Sequence, residues 1–144
     1  MAAITERHLF GWLKEQELQS RLEDCLGKIT KTSQRFDKVD FVNEEGWKIE
    51  LKARRAVAEN GKEQSEERFD RWLMPECKKG DGVILFFYFW EKSGKLWFCQ
   101  YDEEEFEDVE CSVPWFHTQK HFWIPRERWT EITTGTQLVL QTLE

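Results

Sequence analysis

The sequence predicts an α/β domain, a sandwich built on a small mixed sheet. Three observations predict it. An N-terminal segment carries apolar residues at helical spacing. Two strand-like segments then flank the turn cluster Asn43-Glu44-Glu45-Gly46. Last, the continuous apolar run Val83 to Phe89 follows a segment of helical pattern. Such a run suits a strand buried on both faces and reached by a crossover connection.

Element by element, the first thirty residues read as helix. Leu18, Leu22, Cys25, Leu26 and Ile29 follow the three-and-four spacing of a buried stripe. Leu9, Phe10 and Leu13 fall on another side of the wheel, so the segment bends or splits near Lys14, and Gly27 is the C-terminal stop. Phe36 to Val42 carries β-branched and aromatic residues, Trp47 to Ala53 reads as a second strand, and with the turn between them they make a β-hairpin. Ala56 to Gln64 is a polar loop turning at Asn60-Gly61. Ser65 to Lys79 reads as a second helix, opened by a Ser-Glu-Glu cap, with Phe69, Trp72 and Leu73 on one side and Pro75 shortening it. The buried run comes next, and Ser93-Gly94 turns the chain back through Leu96 to Tyr101. In the tail, His121 to Ile124 is a short strand ended by Pro125, and Pro125 to Trp129 is a helical turn.

A chain of 144 residues fits one domain, 1–144, and leaves no room for two well-cored ones. Apolar residues make up 40% and aromatics 15%, with eight Trp, which is ample for one core. A mean hydropathy of −0.71 describes a polar surface, and no apolar run approaches the ~20 residues of a membrane span. The N-terminus lacks the basic-then-apolar layout of a signal peptide, so a cytoplasmic chain is expected. That compactness would suit a phage-encoded protein acting in a host cell. The net charge of −7 argues against nucleic-acid binding by bulk electrostatics but leaves room for a locally basic surface. Asp102 to Glu110, with seven carboxylates in nine residues, reads as a solvated loop. The four cysteines (Cys25, Cys77, Cys99 and Cys111) read as reduced, mostly packed thiols. Cys99, Cys111, His117 and His121 come in finger-like order, but the cysteines are too far apart for an ordinary zinc site.

The hairpin carries the chemistry. Side chains alternate along a strand, so Glu50 and Lys52 project from one face while Leu51 goes to the other. Across a turn at residues 43 to 46, Asp40 lies close to opposite Glu50. Two neighbouring carboxylates repel unless one is protonated or a cation binds between them. Mg²⁺ favours that environment, with waters and phosphate oxygens completing its shell. A bound metal polarises a phosphoryl oxygen and acidifies a coordinated water, and Lys52 can orient that water or neutralise developing charge.

Phe36-Asp37-Lys38-Val39-Asp40-Phe41-Val42 followed by Glu50-Leu51-Lys52 resembles the PD-(D/E)xK nuclease superfamily, in which a strand Asp is followed across a hairpin by Glu-x-Lys. The ten-residue interval from Asp40 to Glu50 is similar to that of its phage junction-resolving members. The resemblance implies a restriction-endonuclease-like α/β/α core over about residues 10–102, with an aromatic-rich C-terminal extension over about 103–144. It also implies a Mg²⁺- or Mn²⁺-dependent endodeoxyribonuclease. Asp40 and Glu50 would hold the metal and Lys52 would assist the water. The Pro that often precedes the first Asp is Val39 here.

Several assignments stay open. Asp37 rivals Asp40 at an interval of thirteen residues, and strand alternation allows at most one of them to join Glu50; the short turn favours Asp40. Many superfamily members add a carboxylate from the first helix, for which Glu15 is the candidate and Glu6, Glu17 and Glu23 are alternatives. Arg54, Arg55, Arg71 and Lys78, with Arg68 and Lys79, would form a basic rim for the phosphate backbone, although ordinary solvated charge is the plainer reading. Trp90, Trp97, Trp115, Trp123 and Trp129 suit core or partner contacts better than base stacking. DNA is the expected partner, with its form (duplex, branched or single-stranded) undetermined, and a homodimer would serve two cuts. A different class of function competes: a non-catalytic adaptor of nuclease-like fold, touching a protein partner through its aromatic, acidic C-terminal third.

Overall fold

The computed structural model describes residues 17–31, 39–58, 60–76, 83–115 and 118–133, and for residues 39 and 40 the backbone alone. The chain is of the α/β class: a small helix and a second sheet pack on a mixed central sheet. No described helix is long and apolar enough to cross a membrane.

The described part of helix α1 spans residues 17–26. Leu18 and Leu22 are buried, with Cys25 and Leu26 packed at the edge of the same cluster. The helix stops at Gly27, whose φ of +73° suits glycine and whose N–H donates to the Glu23 carbonyl at 2.9 Å. Here the structure corrects the expected thirty-residue helix. Past Gly27 the chain is extended, and Ile29 belongs to strand β1 (Ile29–Lys31). Its side chain is still buried with the helical stripe, which is why helical spacing included it.

The hairpin forms as expected, from β2 (Val39–Asn43) and β3 (Lys48–Arg54). Asn43 fixes its turn: Oδ1 accepts from the Glu45 and Trp47 N–H groups at 3.0 and 2.9 Å. Gly46 supplies a φ of +82°. The buried run is β5 (Ile84–Trp90), closed to solvent along its whole length and parallel to β3. β6 (Lys95–Gln100) returns beside it.

The crossover from β3 to β5 differs from expectation. Where a helix was expected over Ser65 to Lys79, a 3-10 turn (Glu66–Arg68) leads into β4 (Arg71–Pro75), and residues 77–79 lie outside the described set. Ser65 makes no side-chain cap. Trp72, Leu73 and Met74 are buried in succession, a pattern that a strand covered on both faces meets and a one-sided helix does not. β4 pairs with β8 (His121–Pro125), which pairs with β7 (Glu110–Ser112). The last strand, β9 (Thr130–Ile132), follows a 3-10 turn at Arg126–Arg128 and joins the edge of the central sheet. The C-terminal third thus completes both sheets.

The central sheet runs β1-β2-β3-β5-β6-β9 and the smaller one β4-β8-β7. Alternation along the central strands makes two cores. Ile49, Leu51, Leu85, Phe87 and Leu96 face α1. Ile84, Phe86, Tyr88 and Trp90 face the small sheet, meeting Trp72, Met74, Phe122 and Ile124. The layer beyond the central sheet is therefore a sheet, where the α/β/α expectation placed helix.

Candidate functional site

Register brings the hairpin candidates together. Asp40 and Glu50 are direct cross-strand partners, and such partners share one face of an antiparallel pair. Glu50 and Lys52 are half-buried and stand beside Phe86 and Tyr88 of β5. They therefore lie on the face that carries the aromatic core. Between and behind them, Ile49 and Leu51 are anchored in the opposite core. The Glu50 Oε2 atom has under 1 Å² of accessible surface, so one oxygen of this half-buried carboxylate is closed to solvent.

Arg54 continues the same face, two residues after Lys52. Its Nε donates to the Tyr88 hydroxyl at 2.7 Å, and its guanidinium lies 5.9 Å from the centre of the Phe69 ring. Tyr88 is fully buried. Burial pushes its hydroxyl pKa upward, while the Arg54 charge and hydrogen bond pull it back.

The other basic candidates are placed differently. Arg55 is half-buried, and its carbonyl accepts from the Gln64 side-chain amide at 3.1 Å. Arg71 is exposed, ion-paired with Glu110 and stacked 4.9 Å from the Trp123 ring. Arg68 donates to the Glu63 carbonyl, and its guanidinium lies 5.5 Å from the centre of the Phe69 ring. Among the helix carboxylates, Glu17 is exposed, and Glu23 accepts from the Ile29 N–H at 3.3 Å. Glu6, Glu15, Asp37, Lys78 and Lys79 lie outside the described residues.

Three functional-looking groups escaped the sequence reading. Glu66 is buried, and its Oε2 accepts from the Ser93 hydroxyl at 2.9 Å and the Trp97 indole at 3.2 Å. In the sequence it looked like part of a helix cap. Phe69 looked like one residue of a helical stripe. Tyr88 did leave a signal: it is the one hydroxyl in the run Ile84-Leu85-Phe86-Phe87-Tyr88-Phe89-Trp90, and a buried hydroxyl calls for a partner.

The donor set at the hairpin is oxygen-rich, which suits a hard divalent cation such as Mg²⁺ or Mn²⁺, and Asp40 with Glu50 would supply its protein ligands. Among the described residues, no three His, Cys, Asp or Glu side chains gather as a metal cluster. Of the finger-like set, Cys99 is buried in the central sheet, Cys111 sits in the small sheet, and His117 lies outside the described residues. Burial pushes the Cys99 thiol up to about 12.

The acidic segment Asp102 to Glu110 is solvated only in part. Phe106 and Val109 turn into the aromatic core, and both Nη2 contacts from Arg128 to Asp108 measure 2.7 Å. In comparisons with known proteins, no family model, curated protein or solved structure matches this chain.

Proposed function

We propose that the chain is a metal-dependent endonuclease that hydrolyses DNA phosphodiester bonds at Asp40, Glu50 and Lys52. One observation carries the reading: the β2–β3 register sets Asp40 opposite Glu50, with Lys52 following on the same face. The order of elements supports a restriction-endonuclease-like core as well. Helix, hairpin and a strand parallel to the hairpin's second arm follow one another, although the crossover runs through β4.

In this reading Asp40 and Glu50 would hold Mg²⁺ or Mn²⁺, which when bound polarises the phosphate and acidifies a water. Lys52 orients the attacking water and offsets charge developing on the phosphate. The buried Ile49 and Leu51 hold the strand still, so that the polar face does not have to organise itself during the reaction. A helix carboxylate, with Glu15 as the candidate, would complete the shell. A homodimer would supply two such sites for two cuts.

The test is a cleavage panel of linear, circular, flapped and four-way DNA with Mg²⁺ and with Mn²⁺. The wild-type chain cuts at least one form, and Asp40→Ala and Lys52→Ala abolish cutting while remaining folded. Undiminished cutting by the purified double variant sinks the assignment.

A second reading has its own observation. Trp115 is 93% exposed and lies two residues from the exposed Val113, exposure that suits contact with a protein partner in a non-catalytic adaptor. Cutting of no DNA form, together with no Mn²⁺ peak between residues 40 and 50 in soaked crystals, would favour that class.

A further inference from the structure

We infer that Arg54 is a pre-set phosphate-binding fork, held in place by the buried Tyr88 hydroxyl and the Phe69 ring. The inference rests on the nuclease reading for its natural ligand, a phosphate of the nucleic-acid backbone.

The described arginines are not alike. Arg71 and Arg128 are neutralised by Glu110 and Asp108. Among the described residues, no carboxylate pairs with Arg54. Its Nε is committed to Tyr88 at 2.7 Å and one guanidinium face to Phe69, and its two Nη groups have no partner among the described residues. A guanidinium fixed along its Nε edge keeps two parallel N–H donors for an oxyanion, the geometry that phosphate accepts bidentately.

Tyr88 holds that edge firmly because it cannot move: its ring packs against Trp72, Trp90 and Trp129, with centroids 5.4, 5.1 and 5.5 Å away. Location supplies the rest. Tyr88 is the β5 register partner of Lys52, and Arg54 stands two residues further along the same face of β3, about 7 Å on. A phosphate held by Arg54 therefore lies beside the one that Lys52 would face. Tyr88 and Phe69 are positioning residues; Arg54 is the group that touches the ligand.

The experiment titrates inorganic phosphate into the ¹⁵N-labelled full chain and follows the arginine Nε–Hε resonances, with Arg54→Lys giving the assignment. Phosphate should shift the Arg54 resonance saturably and leave that of Arg71 nearly unmoved. Tyr88→Phe, which keeps the ring, should weaken phosphate binding at least about five-fold through lost preorganisation. Should that variant fail to fold, the wild-type titration still decides.

In parallel, a labelled oligonucleotide is bound in EDTA across a salt series. Arg54→Gln should reduce the slope of log K against log salt by about 0.7–0.9, the value of one phosphate contact. An Arg54 resonance that phosphate does not move, or moves no more than that of Arg71, overturns the inference. So does an unchanged salt slope in Arg54→Gln with DNA cutting intact, an outcome that leaves the nuclease reading standing. Conversely, phosphate bound at Arg54 in a protein that cuts no DNA keeps the inference and removes the nuclease.

Discussion

The two faces of the central sheet are built from the same strands and each packs against a core, yet only one of them also carries the charged groups of β3. Facing α1, the sheet presents Ile49, Leu51, Leu85, Phe87 and Leu96, with no described charged side chain in the buried cluster. Facing the small sheet, it presents Phe86, Tyr88 and Trp90 together with Glu50, Lys52 and Arg54. The buried Glu66 joins that side through Trp97 and Ser93. β3 alone shows the division, because its odd positions Ile49 and Leu51 are core and its even positions are charged. A strand is well suited to this separation: alternation lets adjacent residues serve stability and chemistry without competing for the same space.

The sharpest challenge to this contrast pairs two adjacent residues. Lys52→Ala should lower DNA cleavage by ~10²–10⁴-fold and leave the urea midpoint close to that of the wild type. Leu51→Ala should do the reverse, costing about 2–5 kcal/mol of stability while its folded fraction retains activity per molecule. Equal losses of stability in the two variants would break the division between faces.

A smaller effect lies within the polar side. Trp97→Phe removes one of the two side-chain donors to Glu66 Oε2. Leaving a buried carboxylate short of a donor should cost about 1–3 kcal/mol in urea denaturation. No change in midpoint would mean that Glu66 finds its hydrogen bonds elsewhere.

The smallest effect lies outside both faces. The hydrogen bond from Arg128 holds the Asp108 carboxyl below the usual carboxylate range. Its stabilising contribution is therefore present above that range and disappears as pH falls through the lowered value. Carboxyl NMR titration should show the value rising toward normal in Arg128→Gln, with little change in overall stability because the pair is exposed.

The same contrast explains what the sequence revealed. β3 and β5 were legible because their patterns are local: strict alternation in one, an unbroken apolar run in the other. The Asp40 to Glu50 pairing followed from turn length alone. β4 was not legible. Phe69, Trp72 and Leu73 match helical spacing, and only the tertiary environment, pairing with β8 and burial of Trp72, Leu73 and Met74 in succession, favours a strand. β1 was absorbed into the helical stripe for a related reason, since Ile29 enters the same core by a different route. The Arg54–Tyr88 contact spans 34 residues and depends on the parallel register of β3 and β5, which no local pattern encodes.

That register has a consequence for how the protein tolerates error. A single-residue deletion early in β3, or a slip by one position against its neighbours, would rotate every side chain of the strand to the opposite face. Glu50, Lys52 and Arg54 would then be driven among Leu85, Phe87 and Leu96, and Ile49 and Leu51 would meet the aromatic side. No folded compromise exists between the two arrangements, since charge in the aliphatic layer is expelled. The hydrophobic residues of β3 thus act as a reading frame for the polar ones: a chain that folds at all has already aligned its site.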